Sequence, residues 1–141
     1  MYTFDFILQM GLALLVSTIF GLISFFWGQR YAGVRVFILI NLGCCLATYI
    51  SINTRILVNQ PWIGDPARIA AQLITAMGFI MAGIIWYRDN QVRGLSSAAL
   101  LWVNAIIGIM IGAGYYRETV VSVLMVGIFL LLVELRYWRF P

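Results

Sequence analysis

Charged residues cut this chain into apolar blocks. Without an Asp, Glu, Lys or Arg, the sequence runs from Phe6 to Gln29, Val36 to Thr54, Ile69 to Tyr87, Gly94 to Tyr116 and Thr119 to Val133. A helix needs about 20 apolar residues to cross a hydrocarbon layer about 30 Å thick, and the first four windows meet that requirement. The fifth is short before Glu134, but Leu135, Tyr137 and Trp138 prolong its apolar character. At about 1.5 Å of rise per residue, Thr119 to Tyr137 reaches ~28 Å. The pattern predicts an all-α, polytopic membrane protein: five transmembrane helices in one compact domain. The first window reads as a retained helix rather than a cleavable leader. Asp5 flanks it in place of a positive cluster, and no small-residue cleavage site follows.

Composition agrees. Of the 141 residues, 63% are apolar and 10% charged, against roughly 45–50% and 25% in a soluble domain. There is no His and no Lys, and only two Cys. That removes imidazole acid/base catalysis, His metal sites, Lys Schiff bases and zinc clusters. Cys44 and Cys45 are adjacent in an apolar block, so they read as helix filler rather than a staple between distant segments.

Nine basic residues face five acids, all nine of them Arg. They lie between the apolar blocks, which makes them topology signals and not a nucleic-acid surface. Arg30, Arg35, Arg88, Arg93, Arg136 and Arg139 fall on one side, and Arg55, Arg68 and Arg117 on the other, with Asp5, Asp65 and Glu118. The excess predicts an outside N-terminus and a cytoplasmic C-terminus. Trp27, Tyr31, Trp62, Trp86, Tyr87, Tyr115, Tyr116, Tyr137 and Trp138 all fall near helix ends, as an aromatic belt at headgroup depth requires.

The connections carry their own signals. Asp65 is a good cap for the third helix, and Pro66 suits the first helical position, where its missing N–H costs nothing. Ser96 or Ser97 is the expected cap of the fourth helix, just after Arg93-Gly94.

Within the windows the polar residues are few: Gln9, Asn41, Thr48, Gln72, Thr75 and Asn104. They read as interhelical hydrogen-bonding groups. The sharper alternative has Asn41, Gln72 and Asn104 lining a polar cavity or ion route. Small residues recur at helical spacing in Gly78 and Ala82, with Gly83 beside them, and in Gly108 and Gly112. Such positions let helix backbones approach closely. They suggest tight packing of the third and fourth helices, within one chain or across a homodimer.

The ionisable groups worth singling out sit at helix ends. Asp65 and Arg68 are three residues apart and can share a face and pair. Alternatively, Asp65 with Asp5 and Glu118 forms an outward carboxylate cluster for a hard cation such as Mg²⁺. On the opposite side Arg30, Arg35, Arg88 and Arg93 either report topology alone or gather into a basic patch for lipid phosphates or a partner protein. Glu134, with Arg136 nearby, reads as an interfacial residue.

Two stretches resemble a known family. One runs Asp65-Pro66-Ala67-Arg68-Ile69-Ala70-Ala71-Gln72, through Gly78-Phe79-Ile80-Met81-Ala82-Gly83, to Val92-Arg93-Gly94-Leu95-Ser96-Ser97-Ala98-Ala99 and Trp102. The other is Ala32-Gly33-Val34-Arg35 with the apolar helix behind it. Together they resemble the membrane domain of the MgtC/SapB family, over about residues 21 to 114. The resemblance implies a single such domain over residues 1–141, with five helices and an outside N-terminus. It places Arg35, Asp65, Arg68, Gln72, Gly78, Gly83, Arg93 and Gly94 at motif positions. Two departures stand out. Gly21-Leu22-Ile23-Ser24-Phe25-Phe26-Trp27 lacks the acid usual at the inner end of the first helix, and Met81 replaces the third glycine of the core motif.

The resemblance further implies ties to magnesium homeostasis, growth at low magnesium and survival inside host cells (virulence). It implies contact with other membrane proteins and no settled catalytic activity. A small regulatory or interaction protein of the inner membrane is therefore the leading expectation. A small oligomeric cation transporter with Asp65 at its outer mouth is the alternative. An enzyme is not expected, because no acidic pair, His or Lys offers an acid/base couple. The bilayer, other membrane proteins and a homodimer are the expected partners; no cofactor beyond Mg²⁺ and no nucleic acid is expected.

Overall fold

In the computed structural model, the structure describes residues 2–26, 32–58, 65–88 and 90–137. Five helices follow one another: α1 Tyr2–Phe26, α2 Val34–Val58, α3 Pro66–Ala82, α4 Leu95–Gly112 and α5 Tyr116–Tyr137. Between α3 and α4 the chain forms a small antiparallel hairpin, β1 Trp86–Arg88 and β2 Gln91–Arg93. Among the described residues four stretches are long and apolar enough to span a membrane: Phe4–Phe26, Val34–Thr54, Leu95–Gly112 and Tyr116–Val133. The protein is a mostly helical membrane protein with one short hairpin.

The centre of the bundle is the α2–α4 pair, with α1 packed across both. Asn104 Nδ2 on α4 donates to the Phe37 carbonyl on α2 at 2.9 Å. One turn further along each helix Gly108 lies on Asn41, and one turn beyond that Gly112 lies on Cys45. Partners that climb together in this way make α2 and α4 parallel. By contrast α1 runs antiparallel to α2, since Phe6 stacks near Tyr49 with ring centroids 5.0 Å apart while Gly21 meets Val34 at the other end.

The buried face of α1 carries Gln9, Ala13, Val16, Ser17, Phe20 and Ser24, spaced three and four apart as one helical stripe requires. Small and polar residues point inward here, while Leu14, Leu15, Leu22 and Phe26 point out. Lipid tails are as apolar as Leu, so close packing and hydrogen bonds select the interior residues. Many of the hydroxyls bond back to their own helix. Ser17 Oγ donates to the Ala13 carbonyl at 2.6 Å, and Thr48 Oγ1 to that of Cys44 at 2.8 Å.

The third apolar window departs from a continuous span. α3 has 17 residues and stops at Ala82, where the Gly83 N–H donates to the Ile80 and Met81 carbonyls. Residues 86–93 then pair as a hairpin in the register Trp86 with Arg93, Tyr87 with Val92 and Arg88 with Gln91. Asn90 takes φ 62, the left-handed conformation that tight hairpin turns demand and Asn tolerates. Trp, Tyr and Val favour a ladder over further helix, so the last residues of the apolar window, Trp86 and Tyr87, lie in the hairpin and not in α3. At the fifth window the helix starts three residues earlier than Thr119 and continues to Tyr137. A turn through Ala113 and Gly114 (φ 81) separates it from α4.

Candidate functional site

Three places gather the residues singled out above. The first lies in the middle of the bundle. Asn41 Nδ2 donates to the Asn104 carbonyl at 2.7 Å and to Asn104 Oδ1 at 3.1 Å. Asn104 Nδ2 in turn donates to the Phe37 carbonyl. Both asparagines are fully buried. Asn41 Oδ1 is left without a partner. A Cβ at Gly108 would come within 2.5 Å of the Asn41 carbonyl oxygen, and one at Gly112 would strike that of Cys45. The two glycines therefore let α4 settle backbone to backbone on α2, where the asparagines can reach across. Gln72 has no part in this cluster, being exposed on α3.

The second place is the end where α2 and α4 begin. Arg35, in the first turn of α2, and Arg93, the last residue of β2, are both exposed. Gly94 is the N-cap of α4, buried, with φ 84. A Cβ there would collide with the Ile84 carbonyl oxygen, so the hairpin can turn into the helix at Gly94 only without a side chain. The expected serine cap is replaced by this glycine, and no side chain caps α4. Ser96 is exposed in the first turn and Ser97 is buried. Arg30 and Arg139 lie outside the described residues, as do Trp27, Tyr31, Trp62 and Trp138 of the aromatic belt. Of the arginines expected on this side, Arg35 and Arg93 are thus the ones with described side chains.

The third place is the opposite end. Asp65 caps α3, its Oδ1 accepting the Ala67 N–H at 2.9 Å, and Pro66 opens the helix. The contact between Asp65 and Arg68 is through the backbone, Arg68 N–H donating to the Asp65 carbonyl at 3.0 Å. Among the described residues no ion pair joins their side chains, because the carboxylate is turned to the helix N–H groups. Asp5 and Glu118 lie in the first turns of α1 and α5. Among the described residues no three acids come together as a metal-holding group, so the carboxylate cluster of Asp65 with Asp5 and Glu118 is not found there.

The small-residue face of α3 makes no close approach within this chain. Gly78, Ala82 and Gly83 are exposed, and a Cβ at Gly78 would meet nothing within 4 Å. Gly78, Met81 and Ala82 instead form one wall of an open apolar groove of about 420 Å³, with Ala98, Ala99 and Trp102 of α4 opposite. The close approach within this chain belongs to α2 and α4. The residues that receive it, Cys45 and the backbone of Asn41, had only their apolar or polar type to mark them.

Comparison with known proteins matches the chain to a family model described as "MgtC family" over residues 10–137. Protein SapB of Bacillus subtilis (strain 168) is 34% identical over 137 residues, 95% of this chain and 57% of its own length. Protein MgtC of Salmonella typhimurium (strain LT2) is 33% identical over 126 residues, 89% of this chain and 51% of its own. YhiD of Escherichia coli (strain K12), named as a candidate magnesium transporter, is 38% identical over 117 residues, 82% of this chain and 54% of its own. The chain thus spans about half the length of the curated relatives it matches. No solved structure matches it significantly.

Proposed function

The chain belongs to the MgtC family, and from that premise we propose that it acts as a small regulatory or interaction protein of the bacterial inner membrane. Its role concerns magnesium homeostasis or the control of membrane energetics. Family membership and the name of the YhiD relative support the magnesium link. The proposal includes no catalytic step.

The observation that carries the reading is a contrast between helices. Of the α4 span, 56% is buried inside the bundle, against 6% of the α5 span. The α2–α4 pair is locked backbone to backbone and by the asparagine bonds, which suits a rigid scaffold better than a carrier that must rock open. Val121, Leu124, Met125, Ile128 and Phe129 of α5 present an apolar surface outward, available to lipid and to neighbouring membrane proteins, a second copy among them.

The topology proposed with it has five crossings, an outside N-terminus and a cytoplasmic C-terminus. The parallel course of α2 and α4 supports the five crossings, since the chain must return across the bundle between them and α3 is the segment in place to do so, while the arginine excess supports the orientation. Seventeen residues rise about 25 Å, so a return helix of this length reaches most of the way across the apolar layer.

Magnesium flux into proteoliposomes, with Asp65→Asn alongside, tests the proposal. Flux at the level of empty vesicles, from protein shown to be folded and inserted, is the expected result. Saturable uptake that is lost in Asp65→Asn overturns it in favour of a small cation transporter with a carboxylate at its mouth.

A further inference from the structure

Between α3 and α4 the chain leaves a trough that its own side chains do not fill. The open apolar groove of about 420 Å³ is bounded by Ile85 and Leu95 at the hairpin end and by Gly78 and Trp102 at the other. Seven residues separate the two ends along either helix, a rise of about 10 Å. No charged residue lines the groove. A Cβ at Gly78 would meet nothing within 4 Å, and Leu95 and Trp102 remain exposed.

An apolar surface on a membrane helix is ordinary, but this groove has a different chemistry at one end. Ile85 runs straight into β1, and only Gly94 separates Leu95 from β2. Trp86 and Arg93 stand opposite each other in the ladder, so they share one face of the hairpin. Both are exposed, as is Tyr87. Trp and Tyr settle at headgroup depth, which places the hairpin there and the groove just beneath it, among the acyl chains. Arg35 opens α2 at the same end, since α2 and α4 run parallel. The connections at this end, residues 27–35 and 83–94, carry Arg30, Arg35, Arg88 and Arg93 against one acid, Asp89. A basic rim at headgroup depth over an apolar trough is complementary to an anionic amphiphile. A partner helix suits it less, because such a helix runs about 30 Å through the apolar layer and the groove offers about a third of that length.

We propose that the α3–α4 groove is a binding site for one anionic phospholipid. An acyl chain lies in the trough between Gly78 and Trp102 at its inner end and Ile85 and Leu95 at its mouth, and the headgroup phosphate rests at the hairpin near Arg93. The chain supplies the burial that the protein's own side chains leave undone there, while the arginines select the negative headgroup. This inference does not depend on the regulatory reading above and survives its failure.

Native mass spectrometry of the full chain in detergent, titrated with phosphatidylglycerol or with phosphatidylcholine of the same acyl chains, reads the binding. Gly78→Leu and Ala99→Leu fill the groove, and Arg93→Gln removes charge from its rim. Gly11→Leu, at an exposed α1 position with nothing within 4 Å of its Cβ, is the steric control. One retained phosphatidylglycerol is expected, held at least ~tenfold less well by the two groove variants. Arg93→Gln, or phosphatidylcholine as the lipid, is expected to weaken retention about fivefold. Gly11→Leu and added glycerol 3-phosphate, a headgroup without chains, are expected to leave the lipid in place. Equal retention of phosphatidylcholine overturns the proposal, as does retention that the groove variants leave intact or that Gly11→Leu weakens equally. A dimer without lipid that Gly78→Leu returns to single chains overturns it in favour of a second copy. On the unaltered chain, phosphatidylglycerol with a photoactivatable acyl chain is expected to mark residues 78–85 and 95–102. Marks spread evenly over α1 and α5 overturn the proposal whatever the variants do.

Discussion

The main chain of Gly108 rests directly on that of Asn41, so closely that a methyl group at Gly108 would come within 2.5 Å of the Asn41 carbonyl oxygen. The contact is backbone on backbone, and neither side can swing away as a flexible side chain would. Gly108→Ala must push α4 off α2 and lengthen the asparagine bonds one turn below. Overpacking of this kind costs about 1–3 kcal/mol, and Gly112→Ala, against Cys45, falls in the same range. Gly78→Ala meets open space and gains the helix preference of Ala, up to ~1 kcal/mol. Thermal unfolding in detergent is expected to rank the three with Gly78→Ala at or above wild type. Equal melting temperatures for all three would refute the close contact.

The asparagine pair predicts a coupling. Asn41 donates twice to Asn104, and Asn104 donates once more to Phe37. Hydrogen bonds between membrane helices average about 0.6 kcal/mol and reach ~1.7 in double-mutant cycles. The cycle Asn41→Ala, Asn104→Ala and the double variant is expected to give a coupling energy within that span. Strict additivity of the two single losses would mean that the pair does not hold the helices together.

Asp65 has a structural role that its neighbour does not share. Its carboxylate accepts the Ala67 N–H, so Asp65→Ala removes the cap of α3 at about 1 kcal/mol, while Asp65→Ser keeps most of it. Arg68, which Asp65 meets only through the backbone, is expected to be replaceable by Ala within ~0.5 kcal/mol, as at most exposed sites. Chemical unfolding of the three variants checks the order. A loss at Arg68→Ala as large as that at Asp65→Ala would restore the side-chain ion pair.

Gly94 combines two demands, a φ of 84 and a Cβ position already occupied by the Ile84 carbonyl oxygen. Gly94→Ala is expected to cost more than the ~1–3 kcal/mol of a strained backbone position alone, because the hairpin has to shift as well. Amide exchange at residues 86–98 reads the damage locally, and unchanged protection there would contradict the geometry.

Much of the fold was legible in the chain. Blocks of apolar residues between arginines located the helices, because burying an unpaired charge in hydrocarbon is prohibitive and the cuts must fall at the surface. The Asp65-Pro66 start of α3 was equally plain, since capping depends on neighbours in sequence. The glycine motif of α4 announced a close approach, but not to what. Both Gly78-Ala82 and Gly108-Gly112 carry the same spacing, yet Gly108 and Gly112 meet α2 and Gly78 meets nothing within 4 Å. The end of α3 at Ala82 was hidden by a window that stays uncharged to Tyr87. Ser97 read as a cap because a serine after Arg-Gly is the local pattern for one, while the left-handed Gly94 that takes the position is set by how the hairpin meets α4.

By itself the sequence determined where the apolar helical segments lie, how α3 begins and what kind of protein results, because hydropathy and capping act residue by residue along the chain. The tertiary structure alone decided which faces turn inward, that α2 and α4 run parallel in backbone contact, and that the Ser97 hydroxyl ends up buried without a partner. In hydrocarbon every face of these helices is nearly equally apolar, so hydrophobicity cannot choose the interior. Shape and a few hydrogen bonds choose it, and both exist only once two helices have met.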